Sequence, residues 1–153
     1  MSKMINNVII KKLPVFSDER GWLAEVFRGD EIDYKPEMVY VSFTKYNVSR
    51  GPHEHSFQTD YFVFAGPGNF ELFLWDNRKE SSSYGVFQKI VVGETNQVAV
   101  LVPPGVVHGY RSISKEGSYS TNLPNKLYAG KGKKEVVDEI RHEKDINTKF
   151  KME

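Results

Sequence analysis

Cysteine is absent from the 153-residue chain. That removes a disulfide framework, a thiolate nucleophile and cysteine-ligated zinc together, and nothing points to an oxidising compartment. Long apolar runs are missing too. The opening MSKMINNVIIKK holds only the short run Val8 to Ile10, too brief for a signal-peptide core, and no later stretch approaches the ~18 apolar residues of a membrane helix. A cytoplasmic protein without a membrane partner is expected. Neither sign of charge dominates: Lys plus Arg number 21 against 20 for Asp plus Glu, a net charge of +1. No basic field argues for nucleic acid, so an anionic ligand must be met by local groups. There is also no fixed-period repeat and no low-complexity linker, so residues 1–153 read as one domain, long enough to bury roughly two thirds of its unfolded surface.

What is abundant is aromatic: ten Phe, eight Tyr and two Trp, a composition that suits face-to-face sheets and stacking platforms. Short apolar or alternating runs recur about every ten residues: NVIIKKL, GWLAEVFR, MVYVSFTKY, DYFVFAG, NFELFLWD, VFQKIVV, NQVAVLVP and VVHGYRSIS. They predict strands of an all-β sandwich or barrel. Turn signals at GPGN (66–69), GETNQ (93–97) and SKEG (114–117) predict successive antiparallel hairpins. The charged stretch 131–153, with Val136, Val137 and Ile140 as a weak stripe, predicts a short surface helix and a frayed tail in which His142 is solvated.

Two of the four histidines, His53 and His55, stand one residue apart in RGPHEHSF, and an extended backbone would turn both to one face. His108 follows a Pro-Gly turn in PPGVVHGY. Taken singly, a strand histidine is more often surface or core than functional. Together the pieces resemble the two cupin motifs: His53, His55, Asp60 and Gly66, then Pro103, Gly105 and His108. Should a metal be bound, His53, His55, His108 and Asp60 would offer three imidazoles and a carboxylate, a set suited to a divalent transition ion.

Four ordered stretches, SDERGWLAEVF (17–27), VSRGPH (48–53), DNRKESSSYG (76–85) and NQVAVLVPPGVVHGY (96–110), resemble the dTDP-4-dehydrorhamnose 3,5-epimerase family, a branch of the cupins. The likeness runs from about residue 8 to about residue 130. It implies a cupin-type jelly roll (double-stranded β-helix), here with the short C-terminal helix. It also implies a homodimer that uses neither metal nor organic cofactor and acts on a nucleotide-diphosphate 4-keto-6-deoxyhexose in polysaccharide biosynthesis. His53 matches the base. Tyr119 matches the acid if the SKEG turn is two residues shorter, with Tyr128 as competitor. Arg20, Glu25 and Arg50 match positions that hold the nucleotide, His108 matches the pocket mouth, and Arg78 falls in a turn where a structural role is expected.

Three departures qualify the likeness. The lysine that stabilises the enolate oxygen in the family has no counterpart in FQTDYF; the position two beyond the base, often Gln, is His55; and the family's base-orienting aspartate has no clear match before KFKME, although Asp145 is a candidate. A one-carbon epimerase and a ketoisomerase remain open beside the double epimerase. Two further classes stay open as well: a metal-dependent cupin using His53, His55, Asp60 and His108, and a non-catalytic sugar-nucleotide-binding module.

Overall fold

The computed structural model describes residues 4–153. Among them are twelve strands and no helix longer than a single 3-10 turn. One sheet has the order β1-β9-β6-β11-β4 and comprises β1 (Ile9–Lys12), β9 (Val98–Val102), β6 (Asp60–Phe64), β11 (Ser118–Asn122) and β4 (Tyr40–Thr44). The second has the order β12-β5-β10-β7-β8 and comprises β12 (Ile140–Arg141), β5 (Ser49–Glu54), β10 (Val106–Ser112), β7 (Asn69–Asp76) and β8 (Phe87–Gly93). A separate hairpin joins β2 (Val15–Asp18) to β3 (Gly21–Ala24). All pairings are antiparallel, giving the expected jelly roll.

The core lies between the sheets because each strand sends every second side chain inward. Phe62 and Phe64 of β6, Phe70, Leu72 and Leu74 of β7, and Val98, Val100 and Val102 of β9 meet there. Strand β6 is buried on both faces, since Ala24, Val26, Phe27, Ile32 and Tyr34 cover Tyr61 and Val63 on its outer side.

The three predicted turns exist but are not hairpins. GPGN leads from β6 to β7, GETNQ from β8 to β9 and SKEG from β10 to β11, and each connects strands of different sheets. Left-handed glycines (Gly66 at φ 91°, Gly68 at φ 82°, Gly117 at φ 83°) let the chain turn that corner, and β-carbons at Gly68 and Gly117 would strike neighbours at 2.4 Å. The apolar alternation specifies that a strand has a buried face, not which sheet supplies its neighbour.

The expected C-terminal helix and frayed tail are corrected. Residues 131–153 form an extended strap with two single 3-10 turns, Lys131–Lys133 and His142–Lys144, and β12 on the edge of β5. Gly130 and Gly132 hold positive φ, and Val136 is 96% exposed, so the proposed apolar stripe faces no core. The tail is anchored instead: Phe150 is buried against Trp75 with ring centroids 5.7 Å apart. His142 is not solvated; its Nε2 meets Glu54 Oε1 at 2.8 Å and its ring lies 4.6 Å from that of Phe150.

Candidate active site

His53 and His108 are direct cross-strand partners on β5 and β10. Gly51 makes that approach possible: its φ is 79°, and a β-carbon there would stand 2.6 Å from the His108 carbonyl oxygen. His55 lies just past the end of β5, where its carbonyl accepts the N–H of Gly105 at 2.9 Å, tying the Pro-Gly turn to the histidine pair. The three rings converge, with centroids 4.6 Å apart for His53 and His108, 5.6 Å for His53 and His55, and 5.7 Å for His55 and His108.

Asp60, at the start of β6 and 1% exposed, organises the cluster. Its Oδ1 accepts from Gln58 Nε2 at 2.9 Å and Asn122 Nδ2 at 2.8 Å. Its Oδ2 lies 3.0 Å from His55 Nε2 and 3.2 Å from His108 Nε2. Neither contact has hydrogen-bond alignment, leaving Asp60 Oδ2 and His108 Nε2 buried without a hydrogen-bond partner among the described residues. The far side of each ring fixes the protons. Nδ1 of His55 faces the Asp138 carbonyl and Nδ1 of His108 faces the Val106 carbonyl; a carbonyl only accepts, so both Nδ1 atoms carry hydrogen. Two neutral rings would then point lone pairs at a carboxylate, an arrangement that calls for a positive charge between them.

Asp60 favours that charge on His55, although the Gln58 Nε2 amide also faces His55 Nε2 at 3.3 Å. Burial disfavours the ionised form of His55, but the adjacent carboxylate of Asp60 outweighs burial and raises it to about 9. Burial likewise works against the Asp60 carboxylate, and His108 and His55 overcome it, holding the group well below the usual carboxylate range. His53 goes the other way: burial first, then the neighbouring His108 and His55 rings, push it down to about 2. The electrostatics thus favour a neutral ring at His53 and a charged one at His55.

A cavity of about 750 Å³ opens onto this cluster and is lined by Tyr40, Arg50, His53, His55 and Gln58, with Lys133, Glu139 and Arg141 contributed by the strap. Arg50 is braced on β4, donating from Nε to Thr44 Oγ1 at 2.9 Å and from Nη2 to the Phe43 carbonyl at 2.8 Å. The strap is fixed by Asp138, whose carboxylate accepts the backbone N–H groups of Ser56, Phe57 and Gln58 at 2.8 Å each. It sets Glu139 Oε1 3.7 Å from His53 Nδ1, and Glu139 Oε2 accepts from Arg141 Nε at 2.7 Å.

His53, His55 and Arg50 therefore meet at one cavity, with Asp60 and His108 beneath, and Tyr128 lies on its rim. Arg20 and Glu25 do not join them: Arg20 projects from the β2–β3 turn paired with Asp18 at 2.6 Å, and Glu25 lies by a smaller cavity with Arg28. Tyr119 is also elsewhere. Alternation along β11 turns Ser118, Ser120 and Asn122 inward and leaves Tyr119 on the outer face, its ring 5.0 Å from that of Phe43. Asp145 bonds only local groups, while Arg78 pairs with Asp76 at 2.8 Å, the structural role expected of it. Tyr40, Asn122, Asp138 and Glu139 carried no motif signal. Tyr40 meets Asn122 by a pairing 82 residues apart.

The three imidazoles also fit a divalent transition ion. Their ligand nitrogens all lie within 4.8 Å of one another, and the unsatisfied Asp60 Oδ2 and His108 Nε2 are of the donor types such an ion takes.

Residues 2–145 match the family model described as dTDP-4-dehydrorhamnose 3,5-epimerase. The chain belongs to that family. A relative in Haloferax volcanii, named "Probable low-salt glycan biosynthesis epimerase Agl13", is 38% identical over 127 residues covering 81% of each chain. The spore coat polysaccharide biosynthesis protein SpsL of Bacillus subtilis is 35% identical over 73% of this chain and 74% of its own. The dTDP-4-dehydrorhamnose 3,5-epimerase of Sulfolobus tokodaii superposes with a TM-score of 0.68 at 26% identity, covering 81% of this chain and 75% of that one. A dTDP sugar isomerase structure from Desulfovibrio desulfuricans, at 19% identity, confirms the fold with a TM-score of 0.78 over 90% of this chain and 84% of that one. Membership makes the protein an epimerase of sugars, an isomerase.

Proposed function

We propose that the enzyme inverts a carbon beside the ring carbonyl of a nucleotide-diphosphate 4-keto-6-deoxyhexose, with a dTDP sugar as the reference substrate, during polysaccharide biosynthesis in the cytoplasm. One observation carries this reading: His53 and His55 converge on one cavity with their rings 5.6 Å apart, burial favouring the neutral form of the first and Asp60 the charged form of the second. A carbonyl acidifies the neighbouring C–H bond, so the neutral ring can take its proton. The enolate that results is negative, and the His55 imidazolium, held by Asp60, supplies a fixed counter-charge where the family's lysine has no counterpart. As the enolate forms, its charge also favours the protonated His53. Nδ1 of His53 is turned to Glu139, which leaves Nε2 to take the proton. Arg50, braced through Nε and Nη2, has Nη1 without a protein partner among the described residues and is our candidate for the diphosphate. His108 acts from beneath the cavity, through Asp60.

Arg20 and Glu25 would serve a second copy's cavity, which makes the working unit a homodimer, and no cofactor enters this route. The test is proton exchange: with dTDP-4-keto-6-deoxyglucose in heavy water, wild type should place deuterium beside the carbonyl, and His53→Asn should lose at least ~100-fold in rate. No label with wild type would overturn the reading.

A second reading rests on the convergent nitrogens: His53, His55 and His108, with Asp60, would hold a divalent transition ion. Bound there, it would supply a Lewis acid for a substrate oxygen. Stoichiometric metal in the purified protein, lost in His55→Ala, would favour it; exchange that survives a chelator would refute it.

A further inference from the structure

The proton returned to the opposite face of the enolate needs a donor, and Tyr119 does not reach the cavity. Tyr40 opens β4 directly opposite Asn122 of β11, and its phenol lines the same cavity as His53. The Asn122 amide has a single permitted orientation, because its Oδ1 accepts the backbone N–H of Tyr61 at 3.1 Å. Both hydrogens on Nδ2 are then committed, one to Asp60 Oδ1 at 2.8 Å and one to the Tyr40 hydroxyl oxygen at 2.9 Å. The phenol accepts from Asn122, so its own hydrogen must point elsewhere. Among the described residues no acceptor takes it, and the open direction is the cavity.

The other tyrosines at this cavity are placed differently. Tyr110 also accepts a hydrogen bond, from Ser120 Oγ at a longer 3.4 Å, but it is only 4% exposed with its ring packed against Phe62, Phe64 and Phe70, and Tyr128 is 54% exposed with no partner for its hydroxyl among the described residues.

Resting on the epimerase reading above, we propose that Tyr40 is the proton donor that completes inversion, with Asn122 as the positioning residue that keeps its hydrogen aimed at the substrate. The step balances. His53 Nε2 takes the proton from carbon and the C–H electron pair enters the enolate; the enolate carbon then takes the Tyr40 hydrogen on its other face, and the O–H pair stays on the phenolate. The Asn122 N–H stabilises that phenolate, and the proton on His53 returns to Tyr40 through cavity water, so no co-reactant is consumed. The same amide joins Tyr40 to Asp60, so one buried network fixes both the donor and the cationic His55. Burial keeps the phenol protonated in the resting enzyme, raised to about 12 with the Asn122 hydrogen bond pulling against it.

The experiment separates proton removal from inversion by following dTDP-4-keto-6-deoxyglucose in heavy water by proton NMR. Tyr40→Phe should still exchange the hydrogen beside the carbonyl within about tenfold of wild type while forming inverted product at least ~100-fold more slowly. Normal inversion in Tyr40→Phe, equal loss of exchange and inversion in the folded variant, or loss of inversion confined to Tyr119→Phe or Tyr128→Phe would each overturn the proposal. If Tyr40→Phe does not fold, 3-fluorotyrosine placed at position 40 alone keeps the ring's shape and changes its acidity; an unchanged ratio of inversion to exchange there would also overturn it. Absence of exchange in wild type would instead remove the epimerase reading itself.

Discussion

At the residue scale, Asp60 decides the state of the site. A carboxylate this buried is tolerable only with compensation: Gln58 and Asn122 donate to Oδ1, and the His55 and His108 rings stand 3.0 and 3.2 Å from Oδ2. The charge it holds on His55 links stability to pH. In the folded chain His55 is raised from 6.5 to about 9. A raised folded value gives stability that is fully present below the unfolded value and disappears as pH rises through the folded one. The window is therefore 6.5 to about 9, and the loss across it is on the order of 3 kcal/mol. His53 has the opposite sign: its folded value is depressed, so its contribution is present above 6.5 and is lost as pH falls toward about 2. We expect urea unfolding at pH 7 and pH 9.5 to show this alkaline drop in wild type and to lose most of it in His55→Gln; an equal drop in both would sink the assignment. His53, His55, Asp60 and His108 were legible in the sequence because short motifs carry them. Tyr40 and Asn122 were not, because a strand pairing across 82 residues leaves no local trace.

At the element scale, the strap brings a carboxylate near the histidine cluster, with Glu139 Oε1 3.7 Å from His53 Nδ1. The stretch 131–153 reads as a charged helix when only its composition is considered. Its apolar residues have no facing surface, however, and Asp138 gains more by capping three N–H groups at 56–58 than a helix turn would return. Those bonds hold the turn after His55 and place Glu139 beside His53. Removing the carboxylate leaves three donors uncapped, but those of Ser56 and Phe57 are exposed and water can replace it there, so Asp138→Ala should cost about 1 kcal/mol in stability. Amide hydrogen exchange at 56–58 and 138–141 should rise with it, and deuterium entry into substrate should fall by more than tenfold. Faster amide exchange with unchanged substrate labelling would separate the strap from catalysis. Eight of the twelve strands followed from alternation alone. The other four, β2, β5, β11 and β12, escaped because their residues are largely polar or outward-facing and carry no apolar run.

At the scale of the whole molecule, the apolar surface is distributed in a way one copy does not explain. Phe16, Trp22 and Leu23 on the β2–β3 hairpin are each more than half exposed, and Val41 on the edge strand β4 is 66% exposed with Val39 and Phe43 beside it. An open, apolar edge strand invites pairing with another chain, and a second copy covering it is the symmetric solution. A stable dimer needs about 800 Å² from each partner. Arg20 stands at the tip of that hairpin, paired among the described residues only with Asp18 and outside the lining of its own cavity. Light scattering should therefore give two copies for wild type and one for Leu23→Glu combined with Val41→Glu, both substitutions lying outside the cavity. If Arg20 reaches across, the monomeric variant should bind dTDP at least tenfold more weakly, as should Arg20→Ala in the intact dimer. A monomeric wild type, or a monomeric variant with undiminished binding, would return Arg20 to an ordinary surface ion pair worth under about 1 kcal/mol.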